Sequence, residues 1–327
     1  MKKVLLTILG ISLVSSLCFG ADLVSYSKMK FMGINPRISP KLLDDSESSD
    51  MSNFTLEESG AVTERDVFGQ YNTSSGALGS NLITGLFKFY ATNAKYFVAC
   101  AGNKIASGSA GAWTDITNTG ISITSGTYWS AVTFNNSLYL FNPTVAMQKW
   151  TGSSNTTSPT APATNCSFAT VHKGRVWAAR SDSLPYRLYF SSLTNAEDWT
   201  TTGGTIDLPD VTQTITGIIS WGGYVYIFTE SNVYVLLGST PNDFSLRKTN
   251  SQVGCIAPRT IKITDIGIIF LARTGLYAFD GNNSNKLSDE VEPLINTIST
   301  TNVQNSAGIY DGQSRYRLAY THKTSSY

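Results

Sequence analysis

The sequence predicts an all-β fold, a β-propeller of four-stranded antiparallel blades, and three observations support this. A short cassette recurs five times between Leu86 and Gly281: an apolar strand, a two-residue turn, an aromatic-rich strand and usually a third strand. The aromatic-rich strands are centred on residues 98, 139, 177, 226 and 269, in steps of 41, 38, 49 and 43 residues. Helix signals are nearly absent. Periods of roughly 40 to 50 residues are those of propeller blades.

The second strand of each cassette is the clearest element. Inner strands of a propeller are covered by neighbouring blades on both faces, so they should be almost continuously apolar. The five predicted second strands are 96–100, 137–141, 175–179, 224–228 and 267–271. A sixth, weaker copy is centred on Arg317, and its outer strands are missing. We expect a propeller domain over residues 76–327 with five to six recognisable blades, the last incomplete. A C-terminally truncated fragment explains the last blade better than completion by the N-terminal segment.

Turns and third strands complete the cassettes. Asn135-Asn136 and Gly222-Gly223 separate apolar runs, and these residue types tolerate the positive φ that two-residue hairpin loops require. One segment, residues 289–298, is a candidate for a short helix. Third strands are predicted at 147–152, 187–191, 232–237 and 276–281.

Residues 1–20 have the pattern of a secretory signal peptide. Two lysines precede a short apolar stretch, and small residues follow that suit cleavage after Gly20 or Ala21. The stretch is too short for a transmembrane anchor, so we expect no stable membrane insertion. The alternative is an over-long translation start, with Met29 or Met32 as the true first residue.

Residues 21–75 are predicted to form an extended N-terminal arm. They are polar and rich in turn-forming residues, and they show no sustained apolar period. One short strand is expected, at 60–63. We expect the arm to run over another surface.

Composition gives little support to catalysis or metal binding. The 327 residues carry a net charge of +1, so no global field favours nucleic acid or an acidic membrane. The four cysteines lack the CxxC spacing of zinc sites, and two histidines, His172 and His322, are too few for a three-imidazole metal site. Carboxylate pairs such as Asp44 and Asp45 lie in polar loops. The sequence therefore predicts no enzyme: no catalytic residues, no cofactor and no metal.

Aromatic residues and acids give no glycosidase pattern either. Trp113, Trp150 and Trp199 are each followed by Thr, and packing at blade edges is a better interpretation than a sugar platform. A secreted glycosidase on this fold would need paired acids and usually a Tyr nucleophile or Asp boxes, and the sequence shows no such set.

Two stretches carry an ordered set of short motifs. The first contains Gly-Ile-Asn-Pro-Arg-Ile-Ser at 33–39, an acidic turn at 44–47, Asp-Met-Ser-Asn at 50–53 and Ser-Gly-Ala-Val-Thr-Glu-Arg at 59–65. The second contains motifs at 174–179, 187–191, 195–200, 231–238 and 253–260. In this order the set resembles the β-propeller tail nozzle or hub ("stabilisation") family of short-tailed bacteriophages, over residues 33–295. The chain departs from it at 64–69, where that family more often has Lys-Arg-Pro-Gly.

The resemblance implies a structural virion protein of a phage or prophage tail. Such a subunit extends the head-to-tail connector and helps to retain and conduct DNA. The implied partners are other copies of the chain in a ring, together with portal, adaptor and tail proteins, while DNA is only passing cargo. The implied location is the tail of the virion. By position in the motifs, the residues expected in assembly are Asn35, Arg37, Leu42, Asp50, Asn53 and Arg65.

The alternative is a secreted bacterial β-propeller that binds glycan or protein. The signal-like N-terminus favours this reading, because it implies export to the periplasm or the extracellular space.

Overall fold

A computed structural model of the chain describes residues 31–56, 60–64, 76–91, 94–108, 113–162, 165–312 and 315–323. The chain divides into two compact units, Met1–Asp66 and Val67–Tyr327. The predicted leader, residues 1–20, lies outside the described residues, as do Arg65 and the expected boundary between residues 75 and 76.

The first unit contains two small sheets. Strands β1 (Gly33–Ile34) and β2 (Glu47–Ser48) pair in parallel, and β3 (Phe54–Leu56) pairs antiparallel with β4 (Val62–Glu64). The expectation of one short strand was therefore wrong, because three more occur in the arm. Strands of two or three residues are too short to show an alternating pattern, and so the sequence does not predict them.

The second unit is a β-propeller of six antiparallel sheets, numbered in chain order. Sheet 1 contains β5 (Ile83–Ala91), β6 (Ala94–Ala101), β7 (Lys104–Gly108) and β8 (Trp113–Asp115). Sheet 2 contains β9 (Ser130–Phe134), β10 (Ser137–Asn142) and β11 (Val145–Trp150). Sheet 3 contains β12 (Phe168–His172), β13 (Arg175–Ala179), β14 (Arg187–Phe190) and β15 (Gly204–Asp207). Sheet 4 contains β16 (Ile215–Trp221), β17 (Tyr224–Thr229), β18 (Val233–Leu237) and β19 (Ser245–Lys248).

The remaining sheets follow the same order. Sheet 5 contains β20 (Lys262–Thr264), β21 (Gly267–Ala272), β22 (Gly275–Phe279) and β23 (Ser284–Lys286). Sheet 6 contains β24 (Ala307–Tyr310) and β25 (Tyr316–Ala319). A short helix, α1 (Glu292–Ile295), lies within the segment predicted for it, and 3-10 turns occupy Gly76–Leu78, Pro258–Thr260 and Val303–Asn305. Within the described ranges, no helix has the length and apolar character needed to span a membrane.

The propeller prediction is confirmed at the level of strands. All five predicted second strands are present, as β6, β10, β13, β17 and β21, and the sixth copy is β25. Four sheets have the expected four strands, whereas sheet 2 has three. In sheet 2 a single antiparallel bridge between Lys149 and Thr157 stands where a fourth strand would pair. The Ser- and Thr-rich loop that contains Thr157 does not continue the pairing.

Burial decreases from the second strand to the fourth. Every residue of β10, β13 and β21 is buried, whereas β19 is mostly exposed. The core is a series of layers between adjacent sheets, and the layer between sheets 3 and 4 includes Trp177, Leu188, Ile215 and Ile227. First strands of adjacent sheets also contact each other, as β9 does with β12 and β12 with β16. The apolar surface of each blade is therefore buried by its neighbours.

The predicted hairpin turns have the expected backbone. Asn135 and Asn136 have φ of 45° and 56°, and Gly222 and Gly223 have φ of 58° and 85°. Positive φ at both central residues matches the twist of the flanking strands. One such turn also links two blades, because Asn135 Nδ2 donates to the Thr194 carbonyl of sheet 3 at 2.7 Å.

Candidate functional site

The residues expected in assembly lie in the first unit, and one of them has a structural role. Asn35 Nδ2 donates to Glu47 Oε2 at 3.1 Å, and the Asn35 amide donates to the Ser48 carbonyl at 2.8 Å. Asn35 therefore joins β1 to β2. Its side-chain oxygen also accepts from the Arg37 amide at 3.3 Å, which places Arg37 in the same turn.

Leu42, Asp50 and Asn53 lie at exposed positions. Leu42 closes a turn by donating its amide to the Ser39 carbonyl at 2.8 Å, and its side chain is 76% exposed. Asp50 is exposed, and its carbonyl accepts from the Ser48 hydroxyl at 2.6 Å. Asn53 is exposed and has φ of 63°, a left-handed conformation that Asn tolerates.

The first unit exposes several large apolar side chains that no sequence pattern indicates. Among the described residues of the first unit, Gly60 alone is buried. We call the exposed large apolar side chains of this unit the arm patch; they are Met32, Ile38, Leu42, Phe54 and Val62. These residues are too irregularly spaced to show an amphipathic period, and only their exposure in the structure reveals them.

A half-buried network between sheets 2 and 3 contains the residue types of an acid–base site. Lys149 Nζ lies 2.5 Å from Glu197 Oε1, and the Tyr139 hydroxyl donates to the same oxygen at 3.2 Å. Burial raises the pKa of the Tyr139 phenol, which opposes the phenolate that a nucleophile would need. Tyr139 is also buried between the two sheets, so the network holds the blades together.

The described histidine and cysteine side chains near the blades are held in structural contacts. His172 Nδ1 lies 3.0 Å from Ser220 Oγ of the next sheet, and burial lowers the pKa of the imidazole. Burial raises the pKa of the Cys166 and Cys255 thiols to about 12, so both are poor nucleophiles near neutral pH. In the part of the chain that the structure describes, no three His, Cys, Asp or Glu side chains are grouped to hold a metal ion.

The tryptophans pack within and beside the sheets. Trp150 and Trp199 are buried in the layers on either side of sheet 2, and the Trp150 indole nitrogen donates to the Ser154 carbonyl at 3.0 Å. Trp113 is half-buried and packs against the apolar face of β6 and the Gly76–Leu78 turn. Buried indoles do not offer the exposed ring face that sugars stack upon.

Segments that precede three of the first strands converge at one end of the propeller. Tyr128 precedes β9 of sheet 2, Arg259 lies in the turn before β20 of sheet 5, and Asn305 lies in the turn before β24 of sheet 6. The Arg259 guanidinium lies over the Tyr128 ring, 3.8 Å from its centroid, and Arg259 Nη2 donates to the Asn305 carbonyl. The Tyr128 hydroxyl lies 3.3 Å from Asn305 Oδ1.

This group, with Lys262 as the first residue of β20, is called the mouth cluster below. The cluster therefore joins segments that precede the first strands of sheets 2, 5 and 6.

Comparisons with known proteins inform the fold. The chain matches no protein-family model and no curated protein. It is similar to the crystal structure of the extracellular domain of a hybrid two component system from B. thetaiotaomicron, with 11% identity, a TM-score of 0.51 and coverage of 78% of this chain and 35% of that one. It is also similar to the crystal structure of the computationally designed Ika8 protein, with 12% identity, a TM-score of 0.42 and coverage of 64% of this chain and 61% of that one.

The first of these similarities supports the all-β propeller architecture alone, because identity is far too low to transfer a function. The second is too weak to carry an argument. In both cases the chain spans less than two thirds of the length of the structure it matches.

Proposed function

We propose that this chain is a structural subunit of a phage or prophage tail, of the nozzle or hub kind, which assembles as a ring beneath the portal. The observation that carries the proposal is the arm patch, which places five large apolar side chains at the surface of a unit with almost no buried residue. Several large apolar side chains exposed on one small unit typically mark a surface that another protein covers. The motifs that resemble those of the tail nozzle family suggest which protein covers this surface, namely another component of the tail.

The second unit suits a structural role. Its blades are joined by apolar layers and by polar links such as Asn135 to Thr194, which favour a rigid body. In a head-to-tail ring, each subunit uses one surface to contact the next subunit and a different surface to contact the previous one. The arm of one copy therefore docks on the next copy or on the adaptor. A net charge of +1 leaves apolar contact as the main driving force for this docking.

Reconstitution with the portal and adaptor proteins of the same phage or prophage tests the proposal. We expect electron microscopy to show the full-length chain as a closed ring on the connector. The double variant Leu42→Asp with Phe54→Asp places charge in the arm patch and should abolish docking. Its propeller should melt like that of the parent protein, because neither residue belongs to the buried layers.

Val211→Asp is the matched control, since Val211 is an exposed apolar residue of the second unit, 54% accessible. It should assemble normally. Docking that survives in the double variant would show that the arm patch has no part in assembly. Failure of the wild-type chain to join any connector would exclude the tail function itself.

The second candidate is a secreted propeller module that binds glycan or protein. The signal-like residues 1–20 favour it, and the fold is similar to that of a bacterial extracellular domain. N-terminal sequencing of native material separates the candidates. A first residue of Ala21 or Asp22 in a periplasmic or culture fraction, with none in phage particles, would support the secreted module.

A further inference from the structure

Two cations of the mouth cluster have no carboxylate partner. Among the described residues, neither Arg259 nor Lys262 forms an ion pair. Arg259 contacts only neutral groups there, namely the Tyr128 ring and the Asn305 carbonyl. Arg259 and Lys262 lie three positions apart in the chain, and neighbouring cations without an acidic partner attract an anion.

The surroundings of both cations are partly closed to water. Lys262 is half-buried, and burial together with the Arg259 charge lowers the pKa of its ammonium group. Arg259 Nε is buried and has no hydrogen-bond acceptor within the described part of the chain. A buried donor without an acceptor is costly, and in native proteins such a group usually has a partner, which can be a ligand.

The neutral contacts of Arg259 are exchangeable. Asn305 belongs to a three-residue 3-10 turn, and its side chain meets the Tyr128 hydroxyl at 3.3 Å, which is long for such a pair. An oxyanion at the Nε edge would replace the Asn305 carbonyl as the acceptor of Nη2. That edge and the neighbouring Nη2 form the fork that binds two oxygens of one oxyanion.

We propose that Arg259 and Lys262 form a binding site for a small oxyanion, a phosphate or carboxylate group, at the mouth cluster. Arg259 supplies the planar fork, and Lys262 supplies a second positive charge from the adjacent strand. Tyr128 holds the guanidinium in place through its ring.

Thermal melting of the full-length chain tests the site. The probes are inorganic phosphate and acetate, each compared with chloride at the same ionic strength. An anion that binds the folded state alone raises its stability, and we expect phosphate to raise Tm by on the order of 3 °C. Acetate tests whether the site binds a carboxylate group. Titration calorimetry gives the dissociation constant of each probe.

Matched variants identify the residues involved. Lys262→Gln removes one charge without touching the Arg259 contacts and should weaken phosphate binding at least about tenfold, the loss expected for one charge-assisted contact. Arg259→Gln should abolish it, and Tyr128→Phe, which keeps the ring, should retain it. Arg247→Gln is the control, because Arg247 is exposed on the outer strand β19.

Three outcomes would overturn the proposal. The first is the absence of any phosphate or acetate effect on the wild-type chain beyond that of chloride. The second is an equal effect in the wild type, Lys262→Gln and Arg247→Gln, which would mean general screening. The third is tight binding of a duplex oligonucleotide that Lys262→Gln abolishes, which would contradict the assignment to a small oxyanion. Because the isolated chain is used, the outcome does not depend on ring assembly.

Discussion

Asp198 shows how one carboxylate organises a loop at the end of sheet 3. Its Oδ2 accepts from the Ser192 hydroxyl at 2.6 Å, and its Oδ1 accepts from the Thr201 and Thr200 amides at 2.9 and 3.1 Å. These bonds, the Ser192 hydroxyl first, lower the pKa of Asp198 from 3.8 to about 2. Asp198 thus serves loop structure, because all of these bonds lie within the loop.

A pH dependence follows from this pKa. A carboxylate whose pKa is lower in the folded state stabilises the fold above its unfolded pKa, and the effect is lost as pH falls through the folded pKa. Asp198→Asn should therefore lower Tm at pH 7, and the difference from the parent should shrink between about pH 4 and pH 2. Melting curves of both proteins across this range give the measurement. A difference that stays constant down to pH 2 would show that the carboxylate charge is not what stabilises the loop.

The second strand is the element on which each blade depends. Ile227, in the middle of β17, is completely buried in the layer between sheets 3 and 4. The hairpin turns are tolerant by comparison, because Asn136 lies at an exposed turn with φ of 56° that Asp also adopts.

Two substitutions test this contrast. Ile227→Asp would bury a carboxylate without a partner, and it should destabilise the protein by several kcal/mol and prevent folding. Asn136→Asp keeps a short polar side chain in the same backbone conformation and should change Tm little. Circular dichroism and chemical denaturation of both variants are the measurements. Parent-like melting of Ile227→Asp would mean that β17 is not an inner strand.

At the scale of the whole molecule, stability is uneven among the blades. Sheets 3 and 4 share an extended apolar layer, whereas sheet 6 is a two-stranded hairpin whose Ile309 and Arg317 are exposed. A two-stranded hairpin is only marginally stable without further packing. On its inner side sheet 6 is supported by Leu318 in the small cluster around Leu271.

Hydrogen exchange should report this gradient. The amides that pair β24 with β25 should exchange at least about tenfold faster than those that pair β17 with β18, because they open locally without unfolding the propeller. Exchange followed by mass spectrometry on peptides from the two hairpins gives the comparison. The peptide around Ile227 serves as the internal reference for global unfolding. Equal protection of both hairpins would indicate that sheet 6 unfolds only together with the other blades.

The sequence by itself determined the fold class and the position of every inner strand. Alternation, turn residues and a repeat near 40 residues are local signals, and a strand such as 175–179 is apolar because two neighbouring blades must cover it. The same local signals did not predict the strands of the arm, because strands of two or three residues are too short to show alternation. They also did not predict that sheet 2 has three strands and not four.

Tertiary structure alone decided which side chains form a surface or a site. Asn35, expected in assembly, also joins β1 to β2, and the arm patch is defined only by the exposure of its side chains in the folded unit. The mouth cluster unites Tyr128, Arg259 and Asn305, which are up to 177 residues apart in the chain. Contacts between such distant segments depend on how the blades are arranged around an axis, and no local pattern of residues encodes that geometry.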